Sequence, residues 1–153
     1  MSYDAALTAI REKDIDKLIK LFFDSTSGKI TPSFRAENDL WDYKKQIPQI
    51  RSENIEWAEL SKDILAFHNT RKVGIILFGV EDKSYSVVGI NSKIDIDSKI
   101  VNDKIRKYLG DQVRVELYGP LKVGIAYVAV LLIPGLSGSI KRFKNNGPEK
   151  NRK

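Results

Sequence analysis

Hydrophobic residues recur along the 153-residue chain with two spacings, and the spacing indicates where helices and strands lie. Between Tyr3 and Phe23 the apolar residues are three or four positions apart. This pattern predicts one bent amphipathic helix or two short ones, with Asp14 as the cap of the second half. Residues 24–33 contain serine, threonine, glycine and proline and predict a loop with a short strand near Ile30.

From Phe34 to Lys44 polar and apolar residues come to alternate, which predicts a β-strand. Because successive side chains of a strand point to opposite faces, Trp41 and Tyr43 would share one face and Asp42 and Lys44 the other. The aromatic pair is expected in the core. Stacking of these rings on nucleic-acid bases is the alternative.

Residues 53–68 carry apolar residues at helical spacing, including Trp57, and predict a helix that Ser52 would cap. The segment Arg71–Ile90 predicts a β-hairpin, because two apolar runs flank a polar turn that carries Asp82. We expect this hairpin to form the centre of the fold, with the helix packed against it.

A second amphipathic helix is predicted between Asp97, its cap, and Gly110, its terminator. Two more strands are expected at 113–118 and 123–133, joined by a turn at Gly119–Pro120. The order of these elements indicates an α+β fold with a mixed β-sheet of about five to six strands, packed by two to three helices.

With 42% hydrophobic residues, a chain of this length can hide roughly 70% of its unfolded surface in a core. We expect an N-terminal helical segment and loop at 1–33, a core domain at 34–136 and a basic flexible tail at 137–153 that would lead to further domains. The last thirteen residues contain six basic side chains and one acidic one, so most of the net charge of +6 belongs to the tail.

Several functional classes lack support in the composition. The chain has no cysteine, which excludes disulfides and thiolate metal sites, and its one histidine, His68, ends a predicted helix where a structural role is favoured. Neither a P-loop nor a dinucleotide-binding glycine pattern occurs. The N-terminus does not resemble a signal peptide and no apolar run is long enough to span a bilayer, so a soluble, cytoplasmic protein is expected.

Three carboxylates, Glu37, Asp42 and Asp82, fall at the ends of predicted strands. Converging carboxylates are the ligands that Mg²⁺ takes in proteins, and a metal held there would position a phosphodiester and activate water. The alternative is that the three acids form no site. Glu37 would then lie in a loop, Asp42 on a solvated strand face and Asp82 in a turn, where acids are common. Lys44 and Lys45 would contact phosphate; the alternative is that they are simply solvent-exposed at the end of their strand.

Four motifs occur in an order and spacing that resemble the AlbA-like DNA-binding domain shared with Schlafen proteins. They are Glu37-x4-Asp42-Tyr-Lys44, the stretch Asp63–Thr70, the stretch Leu77–Asp82 and Val88-Gly89-Ile90. The resemblance covers roughly Phe34 to Leu136. Together the four motifs are far more specific than any one of them.

In Schlafen proteins the three acids of this pattern form a metal-dependent ribonuclease site. The resemblance therefore implies that Glu37, Asp42 and Asp82 hold Mg²⁺ or Mn²⁺, with Lys44 as the neighbouring basic residue. Two features depart from the family: Asp42 stands where Glu is usual, and the segment 71–74 replaces the usual Gly-Gly. Schlafen ribonucleases also use two lobes, so a homodimer or a fused domain would have to supply the second.

Three functions follow as hypotheses. The first is a domain that binds nucleic acid and cleaves RNA or single-stranded DNA with a divalent metal. The second is a non-catalytic DNA- or RNA-binding module that targets or regulates a fused or partner protein, and the third is a regulatory nucleotide-binding domain. The basic residues expected to contact phosphates are Lys44, Lys45, Arg71, Lys72, Lys141 and Arg142.

Overall fold

The computed structural model describes residues 2–24, 26–36, 40–49, 54–70, 73–90 and 96–135. The chain begins with two helices, α1 (Ser2–Arg11) and α2 (Ile15–Phe22). The side chain of Asp14 caps α2 by accepting a hydrogen bond from the Lys17 amide. The alternative with two short helices is therefore the correct one. Within the described part of the chain, no helix is both long and apolar enough to cross a membrane.

Two sheets follow, and the larger one is mixed. Strands β1 (Phe23–Asp24) and β2 (Lys29–Ile30) form an antiparallel pair. The four-stranded sheet has the order β3-β4-β6-β5, in which β3 and β4 are parallel and the other pairs antiparallel. Its strands and the two remaining helices are β3 (Trp41–Lys44), α3 (Asn54–His68), β4 (Gly74–Phe78), α4 (Ser98–Leu109), β5 (Glu116–Val123) and β6 (Ala126–Ile133). The predicted α+β fold with a mixed sheet is confirmed.

The large sheet is covered on both faces. All five residues of β4 are buried, as expected for a central strand whose two faces both meet a core. Ile76 and Phe78 pack under α3 and α4, whereas Ile75 and Leu77 pack in the cluster formed with α1 and α2. The α1–α2 face and the α3–α4 face are therefore separate hydrophobic cores that share one sheet.

The central hairpin is only partly as predicted. Its first strand is β4, but the returning segment 85–90 forms isolated bridges instead of a second strand of the sheet. The neighbours of β4 are β3 and β6, which are distant in sequence. A local apolar pattern does not show this, because it reports that a segment is buried and not which strand pairs with it.

The turn between the last two strands was also wrongly placed. β5 continues through Gly119–Pro120, where the register with β6 shifts, and the chain reverses at 124–125 instead. Gly124 adopts a positive φ of 62° there, a conformation that suits a tight turn. The strand predicted at 34–44 is likewise shorter: among the residues described in this range, β3 at its end is the extended part, and Phe34 belongs to a short 3-10 turn.

Helix α4 is fixed to the segment before β5 by a buried asparagine. The amide of Asn102 donates to the carbonyls of Ser98 and Val115, and its oxygen accepts from the Val115 amide, each at 2.9 Å. Only 7% of Asn102 is exposed. The predicted capping of α4 by Asp97 is confirmed, as is its end at Gly110.

The substitution Asn102→Leu should lower stability strongly. It removes three hydrogen bonds and leaves the N–H and C=O groups of Val115 buried without that partner, which should cost about 2–4 kcal/mol. Urea unfolding followed by circular dichroism measures this loss. The matched control is Asp103→Ala on the same helix, which removes only surface ion pairs and should cost less than about 1 kcal/mol. Equal losses in the two variants would contradict a structural role for Asn102.

Candidate functional site

The carboxyl ends of β3 and β4 meet at one edge of the sheet because the two strands are parallel. Lys44 and Phe78 are register partners, and the amide of Gly79 donates to the Lys44 carbonyl at 2.8 Å. On β3 the aromatic residues Trp41 and Tyr43 are buried against the α1–α2 face. Asp42 and the side chain of Lys44 therefore project on the other face, as their alternation predicted.

Lys44 forms an ion pair with a residue of helix α3. Its Nζ lies 2.7 Å from Oδ2 of Asp63 and 4.0 Å from Oδ2 of Asp42. The three side chains are between 28% and 41% exposed, so they are only partly shielded from water. One ammonium group is thus shared unequally between two carboxylates.

The unequal sharing leaves Asp42 poorly compensated. Burial raises the pKa of the Asp42 carboxyl, and the negative charges of Asp63 and Asp82 act in the same direction. The Tyr43 amide, 2.8 Å from Oδ1 of Asp42, and the charge of Lys44 oppose this without cancelling it. An ionised Asp42 is consequently an unfavourable charge in the folded protein.

Lys44 experiences the opposite balance. Burial, the largest single influence, would lower the pKa of its ammonium group, whereas the hydrogen bond and charge of Asp63 raise it. Asp42 and Glu59 add to this effect, so the pKa of Lys44 is raised. Lys44 therefore stays charged at the centre of a group of acids.

Asp82 reaches the same edge of the sheet through the turn after β4. Gly79 has a φ of 105°, where a Cβ would lie 3.2 Å from the Tyr127 carbonyl oxygen, so glycine is required for the chain to leave the strand here. The turn is closed by a hydrogen bond from the Tyr85 amide to the Glu81 carbonyl. Asp82 is exposed in this turn, and its charge is felt at Asp42.

The aromatic ring of Tyr85 anchors this turn to the α1–α2 face. It lies edge-on to Tyr43 with 6.1 Å between ring centroids, and the guanidinium of Arg35 is 5.9 Å from its centre. Tyr85 has a φ of 58°, a left-handed conformation that is rare for a residue with a side chain. The turn that carries Asp82 is therefore held by the contacts of the Tyr85 ring with Tyr43 and Arg35.

Four of the nine predicted site residues fall among the described residues. Asp42, Lys44 and Asp82 are brought to one edge of the sheet, and Lys45 is exposed immediately after β3. The predicted residues that lie outside the described ranges are Glu37, Arg71, Lys72, Lys141 and Arg142. Among the residues that the structure describes, no group of three or more histidines or acids is close enough to hold a metal ion. The donors present fit a hard cation in kind, as carboxylate oxygens, but Glu37 would have to complete the set.

Asp63 is a member of the site that was not assigned from the sequence, although it lies in one of the matched motifs. A usable signal was present: on a helix, Asp63 neighbours positions 60 and 67, both of which belong to the buried stripe of α3. A carboxylate at the border of a buried face usually has a cationic partner.

A groove of about 430 Å³ continues from Lys44 between the segment after β3 and helix α3. We call it the α3 groove, and its lining residues are Lys44, Gln46, Ile47, Pro48, Gln49, Glu56, Glu59 and Leu60. The indole N–H of Trp57 donates to the Gln49 carbonyl at 3.0 Å and so ties one wall to the other.

The remaining candidate residues have structural roles. Trp41, Tyr43 and Trp57 are each less than 5% exposed, so the prediction that they belong to the core is confirmed. His68 is buried at the end of α3, and its Nδ1 lies 2.7 Å from the Pro134 carbonyl oxygen. These rings are not available for stacking on bases.

Substitution Asp42→Asn should stabilise the protein near neutral pH. Because the folded-state pKa of Asp42 is raised, the folded protein binds more protons than the unfolded chain between the ordinary and the raised pKa. Asp42 therefore lowers stability as pH rises through that window, and the full cost persists above it. The gain in Tm of Asp42→Asn should be largest near pH 8 and should disappear as pH falls below the ordinary aspartate pKa of about 4, where the side chain is protonated in both the folded and the unfolded protein.

Glu116 supplies a control of opposite sign. The hydroxyl of Tyr118 and the ammonium of Lys13 lower the pKa of Glu116, so Glu116 stabilises the protein above its ordinary pKa and stops doing so as pH falls through the lowered value. Glu116→Gln should lower Tm at neutral pH, and the difference should fade in acid. A Tm of Asp42→Asn below that of the wild type at about pH 8 would contradict the charge balance at Asp42.

Comparisons with known proteins place this arrangement in a family. No match was found among curated proteins. One solved structure that matches is the crystal structure of the DIP2311 protein from Corynebacterium diphtheriae, with 14% identity and a TM-score of 0.60 over 87% of this chain. This chain spans 24% of the length of that protein, and at this identity the likeness shows a shared fold alone.

The family model described as Schlafen, AlbA_2 matches residues 37–147, which is more than half of the chain. The resemblance drawn from the four motifs is thus confirmed, and the chain belongs to the Schlafen AlbA_2 family.

Proposed function

We propose that this chain is a nucleic-acid-binding domain that cleaves RNA or single-stranded DNA with the help of a divalent cation. Membership of the Schlafen AlbA_2 family supports the binding of nucleic acid. The observation that carries the catalytic part is that Asp42 shares the Lys44 ammonium with Asp63 and is also exposed to the negative charge of Asp82, so its own charge is poorly compensated. Uncompensated carboxylates of this kind are stabilised when a cation joins them.

Each group at the sheet edge has a distinct task in this proposal. Asp42 and Asp82, together with Glu37, would hold Mg²⁺ or Mn²⁺, and Asp63 would hold Lys44. The chemistry that such a cation supplies when bound is charge neutralisation at phosphate and activation of water. Asp42 is already fixed in orientation, because Oδ1 accepts from the Tyr43 amide and the strand beneath is buried.

Lys44 would contact the phosphate that is cleaved. Asp63 holds its ammonium beside Asp42, so a phosphodiester at the acids would meet a cation that is already in place. Because the pKa of Lys44 is raised, it keeps its charge across the physiological pH range. A fixed positive charge next to the scissile group stabilises the negative charge that develops in the transition state.

A non-catalytic module is the second candidate function. Membership of the Schlafen AlbA_2 family supports nucleic-acid binding and does not by itself require cleavage. In that case Lys44 and Lys45 would contribute phosphate contacts, and the acids would serve to orient Lys44. The two functions make different predictions for variants of Asp82.

The catalytic function predicts that the chain cuts tRNA or single-stranded DNA when Mn²⁺ is added and stops when EDTA is added. Asp82→Ala should reduce the rate about 100-fold or more, because a ligand oxygen is lost. Asp82 is exposed, so this variant should keep its fold. Asp16→Ala, at an exposed acid of helix α2 on the opposite side of the sheet, is the matched control and should cut as the wild type does.

Two results would reject catalysis. They are the absence of cleavage by the wild type with Mn²⁺ or Mg²⁺, and equal cleavage by the wild type and Asp82→Ala. Salt-sensitive binding that survives in Asp82→Ala, without cleavage by either protein, would establish the non-catalytic module instead.

Lys44→Met should weaken binding of single-stranded nucleic acid and reduce its salt dependence. Loss of one phosphate contact should lower the slope of log K against log salt concentration by about 0.7. Fluorescence anisotropy titrations at several salt concentrations, with EDTA present, measure this slope. Lys20→Met, an exposed lysine of α2 on the opposite face, should leave the slope unchanged. An unchanged slope in Lys44→Met would show that Lys44 does not contact phosphate.

A further inference from the structure

The α3 groove differs chemically from a phosphate site. Among its described lining residues the cation is Lys44, which lies at the end shared with Asp42, whereas Glu56 and Glu59 of helix α3 line the groove and are exposed. These two carboxylates repel phosphate, since like charges in a cleft reinforce each other. A neutral group is the better occupant of the space beyond Lys44.

The polar side chains of the groove match the edge of a nucleobase. Glu56 and Glu59 offer only acceptor oxygens while ionised, and Gln46 carries an amide that can both donate and accept. Carboxylates accept hydrogen bonds from the exocyclic amino group of cytosine, and glutamine pairs with adenine. The keto oxygens of uracil or thymine would instead face the glutamate oxygens, acceptor against acceptor.

The apolar lining and the size of the groove are also suited to a base. Ile47 and Leu60 are buried beneath the groove, and Pro48 is partly exposed beside them. Flat bases pack against apolar side chains once they leave their own stack. A space of about 430 Å³ lies within the range of ligand pockets, which is about 300–1,000 Å³. The hydrogen bond from Trp57 to Gln49 keeps the two walls at a fixed spacing.

We propose that the α3 groove is a base-binding subsite that selects a base with an exocyclic amino group, which cytosine, adenine and guanine carry, over uracil or thymine, next to the phosphate held at Lys44. This inference rests on the proposed function, because Lys44 lines both the groove and the acid cluster. It adds a preference for one class of base, which phosphate contacts alone cannot provide.

Oligo(C) and oligo(U) RNAs of equal length test the subsite, because cytosine and uracil share a ring and differ at position 4, amino against keto, and at N3, an acceptor in cytosine and an N–H donor in uracil. Binding to the full chain is measured by fluorescence anisotropy in EDTA. The wild type should bind oligo(C) at least about 5-fold more tightly than oligo(U). A second pair of probes, which differ only in carrying adenine or amino-free purine at one position, should show the same order of affinity.

Two variants locate the preference. Glu56→Gln and Glu59→Gln are at exposed positions, and each supplies a donor for the keto oxygen of uracil, so the ratio of affinities should fall towards one in the double variant. Total affinity should rise, because two negative charges are lost. Glu12→Gln, just after helix α1 on the opposite face of the sheet, is the control and should keep the ratio of the wild type.

The outcomes separate this inference from the proposed function. Equal, salt-sensitive affinity for oligo(C) and oligo(U) would overturn the base subsite and leave nucleic-acid binding standing. A preference for cytosine that persists in the double variant would also overturn it, since the selecting groups would lie elsewhere. Failure to bind any probe at low salt would reject the proposed function, and with it the subsite.

Discussion

Burial of Trp41 and Tyr43 beneath the N-terminal helices is the interaction on which the candidate site depends. A strand alternates its side chains, so fixing these two rings in one core fixes Asp42 and Lys44 on the opposite face. A shift of one residue would bury the charges and expose the aromatics. The contacts of Trp41 and Tyr43 with Phe22 join α2 to this register. The two buried aromatic residues thereby determine on which face of the sheet Asp42 and Lys44 lie.

Parallel pairing of β3 with β4 is the second constraint. It places the ends of both strands at one edge, so the turn that leaves β4 can present Asp82 near Asp42 although forty residues separate them in sequence. An antiparallel neighbour would have sent that turn to the far edge of the sheet. Gly79 permits the sharp exit, and helix α3, which connects the two strands, brings Asp63 to the same place.

Much of the architecture follows from local patterns, and the parts that do not are long-range pairings. Capping by Asp14 and Asp97 and the end of α4 at Gly110 depend on neighbouring residues and could be predicted. The strand partners of β4 could not, because an apolar run indicates burial without naming its neighbour. The structural role of Asn102 could not be predicted for a related reason. Asn102 binds the backbone of Val115, which lies on a different segment, and a local pattern does not show which segments meet.

At the sheet edge one lysine, Lys44, lies between two aspartates and also lines the α3 groove. Asp63 holds the Lys44 ammonium at 2.7 Å, which leaves Asp42 at 4.0 Å only partly neutralised. A protein optimised for stability alone would have no reason to retain a half-buried, poorly paired carboxylate beside two others. Glu59 adds its charge from the groove side, so the field of the acids extends along α3. The cation and its acids thus lie together at one end of the α3 groove, and the exposed carboxylates Glu56 and Glu59 lie along its length.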